Sequence, residues 1–242
     1  MTQNYTKQIC LWSGPRNIST ALMYSFAQRD DTLVYDEPLY AHYLNQTDAD
    51  HYHPGASEVL KSMENDGEKV VEWMMGPHDM PIVFFKQMTH FLVNLDLSFL
   101  NDTINIILTR DPVEMLPSYA KEIEHPTMDD VGYEKHLELL IHLRSIGKEP
   151  AILTSKNVLK NPRKVLQKLC DTIGIPFQES MLSWQKGPRP EDGVWATYWY
   201  KSVHQSTGFK PYSPKSDPFP EHLKSLLNKC RPIYQTLADQ AL

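Results

Sequence analysis

The sequence predicts an α/β fold: a three-layer sandwich with a mostly parallel central sheet and helices on both faces. Two observations carry the expectation. Short apolar runs of strand length occur at residues 9–12, 33–35, 82–85, 104–108 and 151–153, and stretches of helical period lie between them. The chain has 242 residues, 41% of them hydrophobic, enough for one substantial core. One domain over residues 1–242 is therefore expected.

The elements follow in order. Ile9, Cys10, Leu11 and Trp12 form the first run, which breaks at Ser13-Gly14-Pro15. Ile18, Ala21, Leu22 and Phe26 then fall at i, i+3, i+4 and i+8, one face of a helix. The run at 33–35 ends in Asp36-Glu37-Pro38, and residues 59–75 read as helical with Gly67 as a break. After the run at 104–108, Asp111-Pro112-Val113-Glu114 places a capping Asp, a first-turn Pro and a Glu at the third position. Residues 137–146 read as helical. Asn161-Pro162 starts a helix carrying Val165, Leu166, Leu169 and Ile173, which Gly174 ends with Pro176 two residues later. Residues 177–220 change character: Pro, Trp, Tyr and Gly are frequent and periodicity is weak. They read as a loop-rich lid or covering segment. A last helix at 221–239 packs through Leu223, Leu226, Leu227 and Leu237.

Composition bounds function. A net charge of −6 argues against broad nucleic-acid binding but leaves room for a local cationic pocket. Cys10, Cys170 and Cys230 are far apart and lack metal-ligand spacing, which suggests buried thiols in a reducing compartment. The N-terminal stretch MTQNYTKQICLW has one basic residue and four consecutive apolar ones, unlike a signal peptide. No apolar run approaches the roughly 18 residues of a membrane span. The expectation is a cytoplasmic protein with no nucleic-acid or membrane partner.

The first turn carries chemistry. Gly14 permits a sharp turn, and the backbone N–H groups of residues 16–20 stand at a helix start, where the dipole favours an anion. Arg16, Ser19 and Thr20 add a charge and two hydroxyls, and an Arg fork suits a tetrahedral oxyanion. There is no Gly-Lys-Ser/Thr, so this is not a Walker loop. A second signal lies at Thr109-Arg110-Asp111-Pro112, with Ser118 eight residues after Arg110. An Arg at the carboxyl end of a buried strand lies where open α/β sheets bind ligands. Each signal alone also fits an ordinary capped turn, with Arg110 paired to Asp111 or Glu114. Two anion sites at two strand–helix junctions suit one ligand with two separated anionic groups.

In these residues the chain resembles the sulfotransferases that use 3′-phosphoadenosine 5′-phosphosulfate. Arg16-Asn17-Ile18-Ser19-Thr20 occupies the family's first motif, and Arg110-Asp111-Pro112 with Ser118 occupies the second at the expected spacing. The segment from Asn157 through Asn161-Pro162 to Gly174-Ile175-Pro176-Phe177 is similar to the family's later strand and helix, so the likeness spans most of residues 8–178. It implies a P-loop nucleotide-hydrolase-like fold. It further implies that Ser13, Gly14, Pro15, Arg16, Asn17, Ile18, Ser19 and Thr20 hold the 5′-phosphosulfate, and that Arg110 and Ser118 hold the 3′-phosphate. Ile18 stands where the family often has Gly, and Ala21 where many members carry a Trp that stacks on adenine, so stacking must come from elsewhere. Lys186-Gly187-Pro188-Arg189 and Asp192-Gly193-Val194-Trp195 match the family's late Gly-rich loop only loosely.

The implied reaction moves a sulfuryl group to a hydroxyl of a small acceptor and releases 3′-phosphoadenosine 5′-phosphate, with no metal required if Arg and Lys supply the charge. Arg16 is the first choice for stabilising the leaving group, and Lys86 is a second cation. A general base would help an alcohol. The family uses a Glu after the second strand in some branches and a His after a Lys-bearing third strand in others. This chain carries both, as Glu37 and His90. The residue before a proline is pushed toward extended geometry, which would project Glu37 off the strand end. Tyr40, His42, Tyr43, His51, His53, Trp73 and Met74 are acceptor-pocket candidates, with Trp73 and Met74 reading more readily as core. His51-Tyr52-His53 has the look of a metal pair without carboxylate or thiolate partners. Trp195, Trp199, Tyr200, His204 and residues 206–209 are candidates to close over the nucleotide. Two other readings stay open: a nucleotide-dependent phosphotransferase, for which Asp36 is the one candidate magnesium ligand, and a non-catalytic binder of the bisphosphate.

Overall fold

The computed structural model describes residues 6–214 and 217–242. Residues 1–5 of the stretch read above for leader character, and 215–216 of the covering segment, lie outside the described residues. The chain order is β1 (Lys7–Ser13), α1 (Ser19–Phe26), β2 (Thr32–Asp36), α2 (Tyr40–Gln46), α3 (Ala56–Ser62), α4 (Gly67–Met75), β3 (Ile82–Met88), β4 (Ile104–Thr109), α5 (Pro112–Tyr119), α6 (Met128–Val131), α7 (Tyr133–Ser145), β5 (Ala151–Thr154), α8 (Ser155–Lys160), α9 (Pro162–Ile173), α10 (Ala196–Trp199), α11 (Lys201–His204) and α12 (Lys224–Ala238). The five strands form one sheet in the order β2-β3-β1-β4-β5, and every pairing is parallel.

The central strand shows why the apolar runs are continuous. Cys10 and Trp12 pack into one core and Ile9 and Leu11 into the other. Both faces are covered, so neither parity of position is polar. Phe84 and Phe85 divide between the two cores in the same way. The strand order sets the site. The connection after β1 runs toward β2, and the one after β4 runs toward β5 on the other side of the sheet. A crevice opens at such a switch point, outside the carboxyl ends of the strands.

Several boundaries follow local chemistry. The Asp111 carboxylate accepts from the Val113 N–H and caps α5. Asn161 caps α9, and Gly174, at φ 69°, ends it. Gly67 is not the break expected within 59–75. The helix stops at Ser62, Asp66 caps the next one, and Gly67 is its first residue. A Cβ there would sit 2.7 Å from the His42 ring, so close packing requires the glycine. Trp73 is 45% exposed rather than core, standing edge-on to Tyr35, while Met74 is fully buried. Residues 177–220 carry two short helices, α10 and α11, and send Trp184, Trp195 and Tyr200 into the interior. No helix of the described residues is long and apolar enough to cross a membrane.

Candidate active site

The turn after β1 points one cation across the crevice. Arg16 has φ 52°, a left-handed conformation that costs a side-chain-bearing residue about 1 kcal/mol or more. Its guanidinium donates to the Ser118 hydroxyl (3.3 Å) and to the Trp199 carbonyl (3.3 Å). Among the described residues the amides of Arg16, Asn17 and Ile18 have no protein partner. The Ser19 amide is not free as expected, because the Asn17 side chain accepts from it at 2.9 Å. Ser13 and Gly14 do not line the cavity. The Ser13 hydroxyl turns inward to the Gln87 carbonyl at 3.1 Å, and a Cβ on Gly14 would lie 3.1 Å from the Val131 carbonyl.

The turn after β4 brings the second cation. Arg110 donates to the Arg16 carbonyl at 2.6 Å and pairs with Glu114 at 3.3 Å, one turn along α5. Arg16 and Arg110 thus stand together over the crevice. Burial lowers the pKa of Arg16, Glu122 opposes this, and the charge of Arg110 lowers it further. Negative charge bound beside these guanidiniums would offset both effects.

Beside them lies a buried ionic cluster. Asp36, the last residue of β2, is in register with Lys86 of β3. The Lys86 ammonium donates to Asp36 Oδ1 (2.9 Å), to Glu37 Oε1 and to the Tyr200 hydroxyl (2.6 Å). All of these groups are nearly inaccessible to solvent. Glu37 is not extended as expected before Pro38. Its φ is 48°, its N–H donates to the Lys86 carbonyl (2.7 Å), and its carbonyl accepts from Tyr40 (2.9 Å), closing a turn that aims the carboxylate at Lys86. Burial raises the Glu37 pKa, Lys86 lowers it and Asp36 raises it, for a net value of about 7. Burial works against the charge on Lys86, but Asp36 and Glu37 raise its pKa above the usual value.

One cavity of about 390 Å³ collects these groups. Pro15, Arg16, Asn17, Ile18, Ser19, Thr20, Glu37, Lys86, His90, Arg110 and Ser118 all line it, as do Tyr40 and His53, whereas Ser13, Gly14, His42, Tyr43, His51, Trp73, Met74 and His204 do not. Tyr40 and Phe91 stack at 5.0 Å, with Trp195 edge-on to Tyr40, along one wall. His90 sits there too, and burial pushes its pKa down to about 3. His53, whose ring contacts the Tyr40 hydroxyl (2.9 Å), is pushed to about 4 by burial. The exposed His51 stands apart, and no group of three or more His, Cys, Asp or Glu among the described residues is placed to hold a metal ion. Trp199, Ser206, Gly208 and Phe209 also line the cavity, while His204 bonds Asp192 (2.8 Å).

The bonding of Asp36 to Tyr200 is not legible in the sequence, where Asp36 reads as a magnesium ligand and Tyr200 as a lid aromatic. The aromatic density of 195–200 was the available signal, but a pairing across 164 positions leaves no spacing to read.

A family model described as "Sulfotransferase domain" matches residues 7–241. Branched-chain-amino-acid aminotransferase-like protein 2 of Arabidopsis thaliana is 41% identical over 228 residues, 93% of this chain and 40% of that protein. Its relative, protein 1, is 43% identical over 230 residues with the same coverage. The chain thus spans about 40% of the length of these curated relatives. In fold it is similar to the sulfotransferase domain from the curacin biosynthetic pathway (TM-score 0.53, 17% identity, 93% of this chain and 97% of that one). It is also similar to a sulfotransferase from Alicyclobacillus acidocaldarius (TM-score 0.54, 10% identity, 98% of each). The fold matches the P-loop-like three-layer expectation.

Proposed function

The chain belongs to the sulfotransferase-domain family, and from that premise we propose that it moves a sulfuryl group from 3′-phosphoadenosine 5′-phosphosulfate to a hydroxyl of a small acceptor. The observation that carries this reading is the meeting of Arg16 and Arg110, from two separate strand–helix turns, on one cavity with Ser118 beside them. Two cations brought from separate turns to one cavity suit a ligand that carries two anionic groups. Bound there, the donor supplies an activated sulfuryl group on its 5′-phosphate. In this reading the free amides of residues 16–18, with Arg16, Ser19 and Thr20, hold that end, and Arg110 and Ser118 hold the 3′-phosphate. Trp199 and Phe209 take the stacking role that Ala21 does not fill, and residues 177–220 act as the covering segment.

Glu37 is the base. Its pKa of about 7 matches the working range of a general base, whereas a His90 imidazole held near 3 is a weak one. Glu37 takes the hydroxyl proton as the acceptor oxygen bonds to sulfur. The bond from sulfur to the 5′-phosphate oxygen breaks, and Arg16 and Lys86 offset the charge that collects on the departing phosphate. His90 lies on the acceptor wall.

Thermal shift without metal tests the donor. The bisphosphate product at about 100 times its dissociation constant should add about 2.7 kcal/mol to stability, with a smaller effect from ADP or AMP. Equal shifts with ADP would remove the donor assignment.

A further inference from the structure

We propose that Asp36 and Tyr200 are positioning residues for the reaction: Tyr200 fixes Asp36 as the permanent counter-ion of Lys86, so that Glu37 alone exchanges the proton. This rests on the reading of Glu37 as the base.

The donor count at each oxygen carries the inference. Lys86 has three N–H groups, and they face Asp36 Oδ1, Glu37 Oε1 and the Tyr200 oxygen. The Tyr200 oxygen receives from Lys86 and from the Trp195 indole N–H (3.2 Å). Its single proton turns to Asp36, at 2.7 Å from Oδ2. The Gly193 N–H adds a further donor to the same oxygen at 3.2 Å. Asp36 therefore accepts from three donors. Glu37, among the described residues, accepts from Lys86 alone. Each donor favours the charged form of a carboxyl, so Glu37, with a single donor, is the better place for a proton.

One ammonium facing two carboxylates makes this division matter. A dry site with net negative charge is costly, and two coupled carboxyls release their protons in separate steps. Were the two equivalent, the proton would be shared and the base diluted. The surroundings reinforce the asymmetry. Tyr40 of α2 is the neighbour on the Glu37 side. Tyr24 of α1 and Asp192, themselves bonded at 2.5 Å, lie beside Asp36, with Arg189 over the Tyr24 ring. The Thr20 hydroxyl of the anion loop is also within bonding reach of Tyr200. Tyr200 and Gly193 both come from the covering segment, so the base is set only with that segment seated. Loss of the Tyr200 hydroxyl leaves the fold's apolar contacts in place but removes the division of charge.

Infrared titration of the ligand-free protein between about pH 5 and pH 9 tests this, following the C=O stretch of a protonated buried carboxyl. The expected result is one band that disappears through neutral pH and is absent from Glu37→Gln. In Asp36→Asn its midpoint falls by about one pH unit or more, because Lys86 then faces Glu37 alone. In Tyr200→Phe the band divides in two as Asp36 takes part of the proton. A band that survives Glu37→Gln, or one that is single and unchanged in Tyr200→Phe, would overturn the proposal. Should Asp36→Asn fail to fold by circular dichroism, Tyr200→Phe, which keeps the ring, decides. The titration uses neither donor nor acceptor, so its failure is distinct from failure of the donor reading, which the thermal shift reports.

Discussion

The Arg110 guanidinium donates a hydrogen bond of 2.6 Å to the backbone carbonyl of Arg16, across 94 positions of sequence. This bond ties the turn after β1 to the turn after β4. It holds Arg16 in its left-handed conformation and puts both charges on one cavity.

Removing Arg110 therefore does two things. Arg110→Ala takes away the charge-assisted partner proposed for the 3′-phosphate and loosens the Arg16 turn. We expect affinity for 3′-phosphoadenosine 5′-phosphate to fall by about 10- to 100-fold. Ser118→Ala, which removes only a neutral hydroxyl, should cost less. Calorimetric titration of both variants checks the order.

Glu37→Gln keeps the shape of the cluster and removes the proposed base. We expect kcat to fall by about 100- to 10,000-fold while nucleotide affinity holds. In the parent protein kcat should rise with pH through about 7, the pKa of Glu37, because only the ionised carboxylate accepts a proton. His90→Asn should alter KM more than the pH profile. A profile that is flat across neutral pH, with Glu37→Gln active, would remove the base assignment.

The site was legible where it was local. Arg16-Asn17-Ile18-Ser19-Thr20 and Arg110 with Ser118 announce themselves by turn residues and spacing, and the five apolar runs are the five strands. What was not legible depends on tertiary approach. Nothing near Glu37 in sequence says that its backbone turns left-handed, because the cause is the Lys86 carbonyl 49 positions away in β3. Gly67 looks like a helix break in sequence, but it starts α4, and the glycine answers to the His42 ring rather than to its own segment. Trp73 looks like core by residue type, but α4 turns it half into solvent against Tyr35.

The buried histidines make stability fall in acid. His53, His90 and His136 are held neutral by burial, with pKa values near 4, 3 and 4 against 6.5 in the unfolded chain. Their stabilisation is present above pH 6.5 and is lost as pH falls toward 4. Between pH 8 and pH 5 each contributes a loss of about 2 kcal/mol. Glu37 has the opposite sign. Its folded pKa is raised, so its contribution is full below 4.5 and is lost as pH rises through about 7. Urea unfolding should show stability dropping from pH 8 to pH 5, and dropping more steeply in Glu37→Gln, which lacks the opposing term. It should also show Glu37→Gln more stable than the parent at pH 8.

Trp199 joins the covering segment to the cations. Its carbonyl accepts from Arg16, and its ring lies parallel to Tyr119 at 6.3 Å. Trp199→Ala should weaken nucleotide binding by about tenfold, through loss of ring contact and of the carbonyl's fixed position. Unchanged affinity would show that the wall it forms does not touch the nucleotide.

If one ligand bridges the two turns, a double-mutant cycle by titration calorimetry reads the bridge directly. Binding of 3′-phosphoadenosine 5′-phosphate and of AMP is measured in the parent and in Arg110→Ala. Removing the 3′-phosphate should cost the parent about 10- to 100-fold and cost Arg110→Ala almost nothing, because the lost partners are the same pair. Equal losses in both proteins would contradict it, placing the 3′-phosphate away from Arg110 or the nucleotide outside this cavity.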